Sequence, residues 1–394
     1  MEKIRLGIIG IGNMGSAHAQ SFVPKCEDFV LAAVCDTNPA RLDWAKEKLP
    51  ESVALFTDGI EMLDSGLIDA LLVAVPHYDH PTYAMEAMKR GIHVMVEKPA
   101  GVYTKKVREM NELAKKCNVV YGMMFNQRTN HVFRKVKELV DSGKYGEIRR
   151  TNWMITDWYR NQFYYDSGDW RATWAGEGGG VLMNQCPHQL DLWQWICGMP
   201  VKIQAHAKYG KWHDIEVEDD VTVYAEYANG ATGVFVTTTG DGCGTNRFEV
   251  QMDKAKIVVE NNKDLKLIEF EVSEQEFSKS ERKDIFAIVP THEVEVETDG
   301  LNEQHVGVLK AWGGAILRGE PLIAGGEEGI KGLTISNAIH LSDWTGKMVE
   351  IPFDEDFYYE ELMKRVATSK VKTSGVTVFG DTTSSYGGAS NSNK

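Results

Sequence analysis

The sequence predicts an α/β protein in two parts: a parallel sheet covered by helices on both faces, then a large, mostly antiparallel open sheet with helices of its own. Three observations predict it. Over the first 125 residues short apolar runs alternate with stretches of helical spacing; a glycine-rich turn separates the first run from the first helix; and apolar–polar alternation recurs between residues 201 and 272. With 394 residues, 43% of them apolar, the chain is large enough for two core-bearing domains.

Residues 4–10, 30–35, 70–75, 93–96 and 119–123 read as strands. The run 70–75 is apolar at every position, as a strand covered on both sides should be. These elements make a first domain, residues 1–125. After about residue 150 the texture changes: aromatic side chains crowd 153–174, glycines occupy four of the five positions 176–180, and 221–227, Asn229-Gly230 and 231–239 form a hairpin pattern. Helical spacing returns over 303–318 and 326–347, in helices that pack on the second sheet or back on the first domain. Residues 126–371 thus read as a second α/β domain, expected to serve substrate binding and subunit contacts. The Ser/Thr/Gly/Asn-rich segment 372–394 reads as a flexible tail, or as an arm ordered by a neighbouring subunit. In 221–227, Val221, Val223, Ala225 and Tyr227 share one face while Tyr224 puts a ring on the other. A sheet apolar on both faces predicts a homo-oligomer, dimer or tetramer.

Composition excludes several classes. Forty-three basic against 57 acidic residues give a net charge of −14, which argues against a nucleic-acid backbone as partner. The longest apolar stretch, 70–76, falls far short of the roughly 18 residues of a membrane span, and no signal peptide precedes the first strand, so the expected location is the cytoplasm. Six cysteines without a Cys-x-x-Cys pair read as reduced thiols rather than as a disulfide frame or zinc site.

Gly10-Ile11-Gly12-Asn13-Met14-Gly15 lies between a strand and a helix opening at Ser16-Ala17-His18. In that context Gly10 allows a tight turn, Gly12 lets the backbone approach a pyrophosphate, and Gly15 lets helix and strand close up, which is the Rossmann dinucleotide fingerprint. Asp36 ends the second strand, 21 positions after Gly15, where a carboxylate accepts from both ribose hydroxyls and repels a 2′-phosphate. It predicts NAD, with NADP disfavoured and Arg41 near enough to soften the preference. The lesser alternative is that Asp36-Thr37-Asn38-Pro39 is only a turn with a helix cap.

Further candidates fall at later strand ends: Pro76, His77 and His80 after 70–75, Glu97 and Lys98 after 93–96, and Asn126 and Arg128 after 119–123. Lys98 of Glu97-Lys98-Pro99 emerges at the carboxyl edge of the sheet, where it can polarise a hydroxyl or carbonyl oxygen, although a lone lysine at a strand end is more often solvated. His77-Tyr78-Asp79-His80 lacks a second ligand set at fixed spacing and reads as a loop beside the nicotinamide rather than a metal site. After Gly178-Gly179-Gly180 a helical pattern from Asn184 sets Asn184 and His188 four apart on one face, with Asp191 placed to orient His188.

Together these motifs resemble the Gfo/Idh/MocA oxidoreductases, the family of inositol dehydrogenase and glucose–fructose oxidoreductase, over roughly residues 3–350. The resemblance implies a Rossmann domain followed by an α/β domain with an open, largely antiparallel sheet. It also implies NAD(P)-dependent oxidation of sugars or cyclitols or reduction of the corresponding ketones. Lys98 matches the family's Glu-Lys-Pro lysine and His188 its catalytic histidine; the position four before that histidine is often Asp in the family and is Asn184 here.

An amide orients a hydroxyl but takes no proton at neutral pH. His188 is therefore the expected base, Lys98 the group that stabilises the alkoxide, and Asn184 the orienting amide, in a reaction that needs no metal. Arg128, Tyr164, Trp170 and Arg171, with Lys98, Asn184 and His188, form the expected substrate set, since aromatic faces and planar hydrogen-bonding groups suit a polyhydroxylated ring. Taken singly, the tryptophans at 153, 158, 170 and 174 read as core or subunit contacts. Three functions remain open: a dehydrogenase of a sugar, glycoside or cyclitol; a redox-neutral glycoside-processing enzyme with tightly held NAD; and a non-catalytic dinucleotide sensor.

Overall fold

A computed structural model describes residues 3–280, 284–370 and 372, so residues 373–394 of the expected tail lie outside the described residues. The first sheet has six parallel strands, β1 (Ile4–Ile9), β2 (Phe29–Cys35), β3 (Ala54–Phe56), β4 (Ala70–Val73), β5 (His93–Val96) and β6 (Tyr121–Met123), in the order β3-β2-β1-β4-β5-β6. Every residue of β4 is fully buried, in keeping with its unbroken apolar run. Strand order reverses between β1 and β4, which opens a crevice at the carboxyl ends of those strands. Strand β3 was not anticipated; three partly buried residues are too few to carry a period.

The second sheet has nine strands: β7 (Ile148–Ile155), β8 (Lys202–Tyr209), β9 (Glu218–Glu226), β10 (Thr232–Thr238), β11 (Asn246–Met252), β12 (Ala255–Glu260), β13 (Asp264–Phe270), β14 (Thr291–Val294) and β15 (Val349–Glu350). Their order is β14-β13-β12-β11-β7-β10-β9-β8-β15, and the pairings are antiparallel except β7 with β10. The expected hairpin forms around Asn229-Gly230, with Gly230 at φ +84° and Thr232 opposite Glu226. Val221, Val223, Ala225 and Tyr227 are buried beneath helices Pro187–Cys197 and Gly329–Thr345; Trp193 of the first stacks on Phe235 with ring centroids 5.4 Å apart. On the opposite face Met154, Tyr224 and Val234 are exposed.

The two late helices take different partners. Helix Gln304–Arg318 returns to the first sheet, where Val308, Leu309 and Trp312 join the core of Leu6 and Ile8, and Trp312 stacks on Phe29 at 5.2 Å. Helix Gly329–Thr345 stays on the second sheet, hydrogen-bonding the Ala205 and Ala207 amides of β8 through Ser342 and Asp343.

Candidate active site

The glycine turn has the geometry its spacing requires. Gly10 adopts φ +81°, and a Cβ there would lie 2.6 Å from the Ala74 carbonyl oxygen; one on Gly15 would run into the Gly10 carbonyl. A Cβ on Gly12 would meet nothing within 4 Å, so the turn presents bare backbone to open space at the N-terminus of helix Asn13–Ala17, as a pyrophosphate needs. The Asp36 carboxylate accepts from the Ile11 and Asn38 amides, each at 2.9 Å, which aims it at the turn. Helix Pro39–Lys48 is capped by Asn38, whose side chain accepts from the Ala40 amide, so Asp36 is not needed as the cap. Arg41 reaches Asn13 Oδ1 at 3.3 Å; its burial lowers its pKa and the Asp36 charge pulls the other way.

From Asp36 and Arg41 a cleft of about 500 Å³ runs past Gly10, Gly12, Asn13 and Met14 to Pro76, His77, His80, Glu97 and Lys98, and ends among Tyr164, Trp170, Arg171 and Asn184. The His77–Asp79 turn follows β4, as expected of a loop at a strand end. The His80 ring spans two strand ends, 2.7 Å from both the Val75 and Pro99 carbonyl oxygens. Glu97 Oε1 lies 2.6 Å from His18 Nε2, and Oε2 accepts from the Lys98 amide. Burial pushes the Glu97 carboxyl up, but the bond to His18 and the charges of His18, His305 and Lys98 outweigh it, leaving the pKa at about 2.

His18, Glu97 and His305 form a buried trio that local spacing could not assemble, because His305 comes from the returning helix. The His18–Glu97 separation is that of a hydrogen bond, shorter than the roughly 3 Å or more between two ligands of one zinc ion.

Lys98 donates through Nζ to the Asn184 backbone carbonyl at 2.8 Å, and burial lowers its pKa against the pull of Glu97. Asn184 lines the cleft but is not on the helix with His188. That helix begins at Pro187, and Asn184 occupies the preceding turn, its amide bonded to the Gly180 carbonyl. His188 is fully buried, edge-on to Phe125, and is not among the cleft-lining residues. Burial first, and then the Lys98 charge, hold its pKa well below 6.5.

Three further expected residues have partners elsewhere in the structure. Arg128 does not reach the cleft: its guanidinium donates to both Asp191 oxygens (2.8 and 2.7 Å) and to Glu328 (2.9 Å), with 1% of the side chain exposed. Asp191 consequently serves Arg128 and Gln194 instead of orienting His188. Asn126 is buried away from the cleft lining and donates to Gln304.

Glu177 was among the residues not anticipated. At the start of the glycine run, it is buried and accepts from the Asn184 side-chain amide and from the Ala172 backbone amide. Across the cleft the Tyr164 hydroxyl accepts from Arg171 (2.9 Å) and Gln185 (3.1 Å), and the Arg171 guanidinium lies 4.6 Å from both the Tyr164 and Trp170 ring centres.

A doubly wound parallel sheet with a glycine turn at its switch point, opening on a lysine and an amide, defines a dinucleotide-binding oxidoreductase. The chain belongs to the GFO/IDH/MocA family: residues 4–125 match the oxidoreductase family's NAD-binding Rossmann fold and 133–258 the GFO/IDH/MocA C-terminal domain. It is 25% identical to the myo-inositol 2-dehydrogenase of Thermotoga maritima over 85% of this chain and 95% of that one. The WlbA dehydrogenase of Bordetella pertussis, solved with NADH and UDP-GlcNAcA, superposes with a TM-score of 0.76 at 25% identity, covering 90% of this chain and 99% of that one. A stretch of 193 residues is 26% identical to the α-N-acetylgalactosaminidase of Shewanella oneidensis, covering 46% of this chain and 42% of that enzyme. No helix among the described residues is long and apolar enough to cross a membrane.

Because Arg128 neutralises Asp191 out of reach of the cleft, Arg128→Ala should destabilise the protein by about 3–5 kcal/mol in denaturant titrations, the penalty of a stranded buried charge. The folded fraction should keep its substrate KM; a raised KM with unchanged stability would return Arg128 to the substrate set.

Proposed function

We propose that the protein is an NAD-dependent dehydrogenase that moves hydride between a secondary hydroxyl of a sugar, glycoside or cyclitol and nicotinamide. The observation that carries this reading is the meeting of Lys98 and Asn184 at the end of a cleft that starts from the glycine turn. Bound NAD would supply the hydride acceptor, and Gly12, Asp36, His77 and His80 are the residues placed to hold it. Lys98 donates to the reacting oxygen and stabilises alkoxide character as the hydroxyl proton leaves. His188, buried behind the cleft lining within the influence of the Lys98 charge and neutral at physiological pH because its pKa is depressed, is the group to which we assign that proton. Asn184 orients the hydroxyl, and Tyr164, Trp170 and Arg171 face the rest of the ring.

Similarity to an α-N-acetylgalactosaminidase favours a second reading, transient ring oxidation with NAD retained. NADH appearing in proportion to product supports the dehydrogenase, whereas product formed without NADH supports the alternative. A sensor would have no use for the lysine–amide pair. We further propose assembly through the outer face of the second sheet, where Val234 lies between Tyr224 and Asn152 in register, beside Met154.

Lys98→Ala should lower the hydride-transfer rate by about two to four orders of magnitude with little change in NAD affinity. A base with a depressed pKa protonates only in acid, so wild-type kcat/KM should hold as pH falls to 6.5 and drop only well below it. His188→Ala should slow the chemical step similarly and abolish that acidic limb. An unchanged step and profile in His188→Ala would remove His188 as the base.

Asp36→Ala should weaken NAD binding and narrow the gap to NADP in fluorescence titrations. Tighter binding of NADP by the wild type would contradict the ribose assignment. Light scattering should give a multiple of 44.1 kDa, and Tyr224→Glu combined with Val234→Glu should reduce it toward the monomer. A monomeric wild type at micromolar concentration would refute assembly.

A further inference from the structure

We propose that Glu177 is a positioning residue that fixes the Asn184 amide with its carbonyl oxygen toward the cleft, so that the site accepts a hydrogen bond there and favours hydroxyl over ketone. The inference rests on the dehydrogenase reading and adds the sense of hydrogen bonding at the reacting oxygen. An Asn amide has two donors on nitrogen and an acceptor oxygen, and nothing in its shape decides which end faces a ligand. An ionised carboxylate only accepts, so it decides.

Glu177 is buried and anchored by its other oxygen to the Ala172 amide at 2.6 Å, while its backbone carbonyl faces His77 Nδ1 at 3.2 Å. It therefore cannot swing away from Asn184 Nδ2 without abandoning Ala172. The Asn184 backbone is equally constrained, by the Lys98 ammonium on its carbonyl and the Gly180 carbonyl on its amide. With nitrogen committed to Glu177, Oδ1 is the end left for the cleft that Asn184 lines. Burial raises the Glu177 pKa, and the nearby Arg171 charge and its two N–H donors pull against that rise.

The two partners of the reaction then meet the site differently. A substrate hydroxyl binds by donating to Oδ1 and accepting from Lys98, and its one proton turns from Oδ1 to His188 for the chemical step. A ketone oxygen still accepts from Lys98 but sets a lone pair against Oδ1. An Asp at position 184 would be acceptor-only by itself; in this chain Asn184 becomes so through a carboxylate one residue further out.

The test compares wild type, Glu177→Gln, Asn184→Asp and the double variant with myo-inositol and its 2-ketone, or whichever alcohol–ketone pair a polyol screen of the wild type yields. A glutamine at 177 can donate as well as accept, which frees the amide to turn. Glu177→Gln should raise KM for the alcohol about three- to tenfold and tighten the ketone by a similar factor, the scale of one neutral hydrogen bond. Asn184→Asp alone should lose more than tenfold in kcat/KM, since two carboxylates would face each other. The double variant should recover to within about threefold of wild type, because its glutamine donates to an acceptor-only Asp.

A merely structural role would shift both constants in one direction and leave the double variant no better than the singles; either result overturns the inference. If Glu177→Gln does not fold, Glu177→Asp, still acceptor-only, should keep the wild-type alcohol-to-ketone ratio, and an inverted ratio overturns it. A wild type that turns over no polyol or ketone refutes the dehydrogenase reading instead. In that case neutron diffraction of deuterium-exchanged crystals decides about Glu177. Deuterons between Asn184 and Glu177 support the inference, and deuterons of Asn184 facing the cleft overturn it.

Discussion

A buried guanidinium ties the two sheets together. Arg128 follows the last strand of the first sheet; Asp191 lies in the helix that covers the second; Glu328 immediately precedes helix Gly329–Thr345. Desolvating such ions costs several kcal/mol each, and the cost is offset only when the geometry is good and the remaining donors are satisfied. Here the fork is bidentate to Asp191, a third N–H goes to Glu328, and the Phe125 and Trp195 rings flank the guanidinium at 5.4 and 5.1 Å. Sliding one sheet against the other would break both Asp191 bonds at once. His188 is one turn from Asp191, and Lys98 ends the strand beside the one that leads to Arg128, so the same ion pair holds constant the relation between the two halves of the proposed catalytic pair.

Buried carboxylates do the finer positioning. Glu97 joins the strand end that carries Lys98 to the helical segment after the glycine turn, through His18. Glu218 Oε1 accepts from the Gly180 and Leu182 amides at 2.8 and 3.1 Å, and its other oxygen lies 3.1 Å from His340. Gly180 passes so close to β9 that a Cβ would overlap the Glu218 carbonyl, and Gly178 adopts φ +80° against Val102. The second glycine run is therefore a fold-back that delivers Asn184 to the cleft and Pro187 to the start of its helix, a packing role distinct from that of the first.

What the sequence revealed and concealed follows from the range of each interaction. The glycine turn, Asp36 and Lys98 were legible because strand, turn and helix are contiguous and the spacing itself is the geometry. Strand β7 was concealed although it is central: its outward residues include Arg150, Asn152 and Met154, and only Thr151, Trp153 and Ile155 point inward, which leaves a weak apolar alternation. Asn184 was assigned to the helix on a spacing of four, while the visible signal against it was Pro187, a residue suited to the first turn of a helix and poorly suited to its interior. Glu177, His18 and His305 left no usable signal, because each matters through a partner on another element. Arg128 looked like a substrate contact for the same reason: its true partners lie 63 and 200 positions away.

The four tryptophans of 153–174 illustrate how identical composition divides by context. Trp153 faces inward on β7, stacks on Phe248 at 4.3 Å and is core; Trp174 is buried against His340 and Trp344. Trp158 lies under Arg160, and Trp170 alone of the four lines the cleft, edge-on to His77 at 5.4 Å. An arginine joins the cleft aromatics to one another. A guanidinium over a half-buried ring satisfies the ring's negative face while keeping its own N–H groups in the plane that faces solvent or ligand. Arg171 does this for Tyr164 and Trp170 together and adds a hydrogen bond to the Tyr164 hydroxyl, which links three side chains into one wall. Such a wall opposite Lys98 and Asn184 offers a ring-shaped ligand an apolar flank and fixed donors along its edge, and holding those groups in place before binding lowers the entropy lost when the ligand arrives.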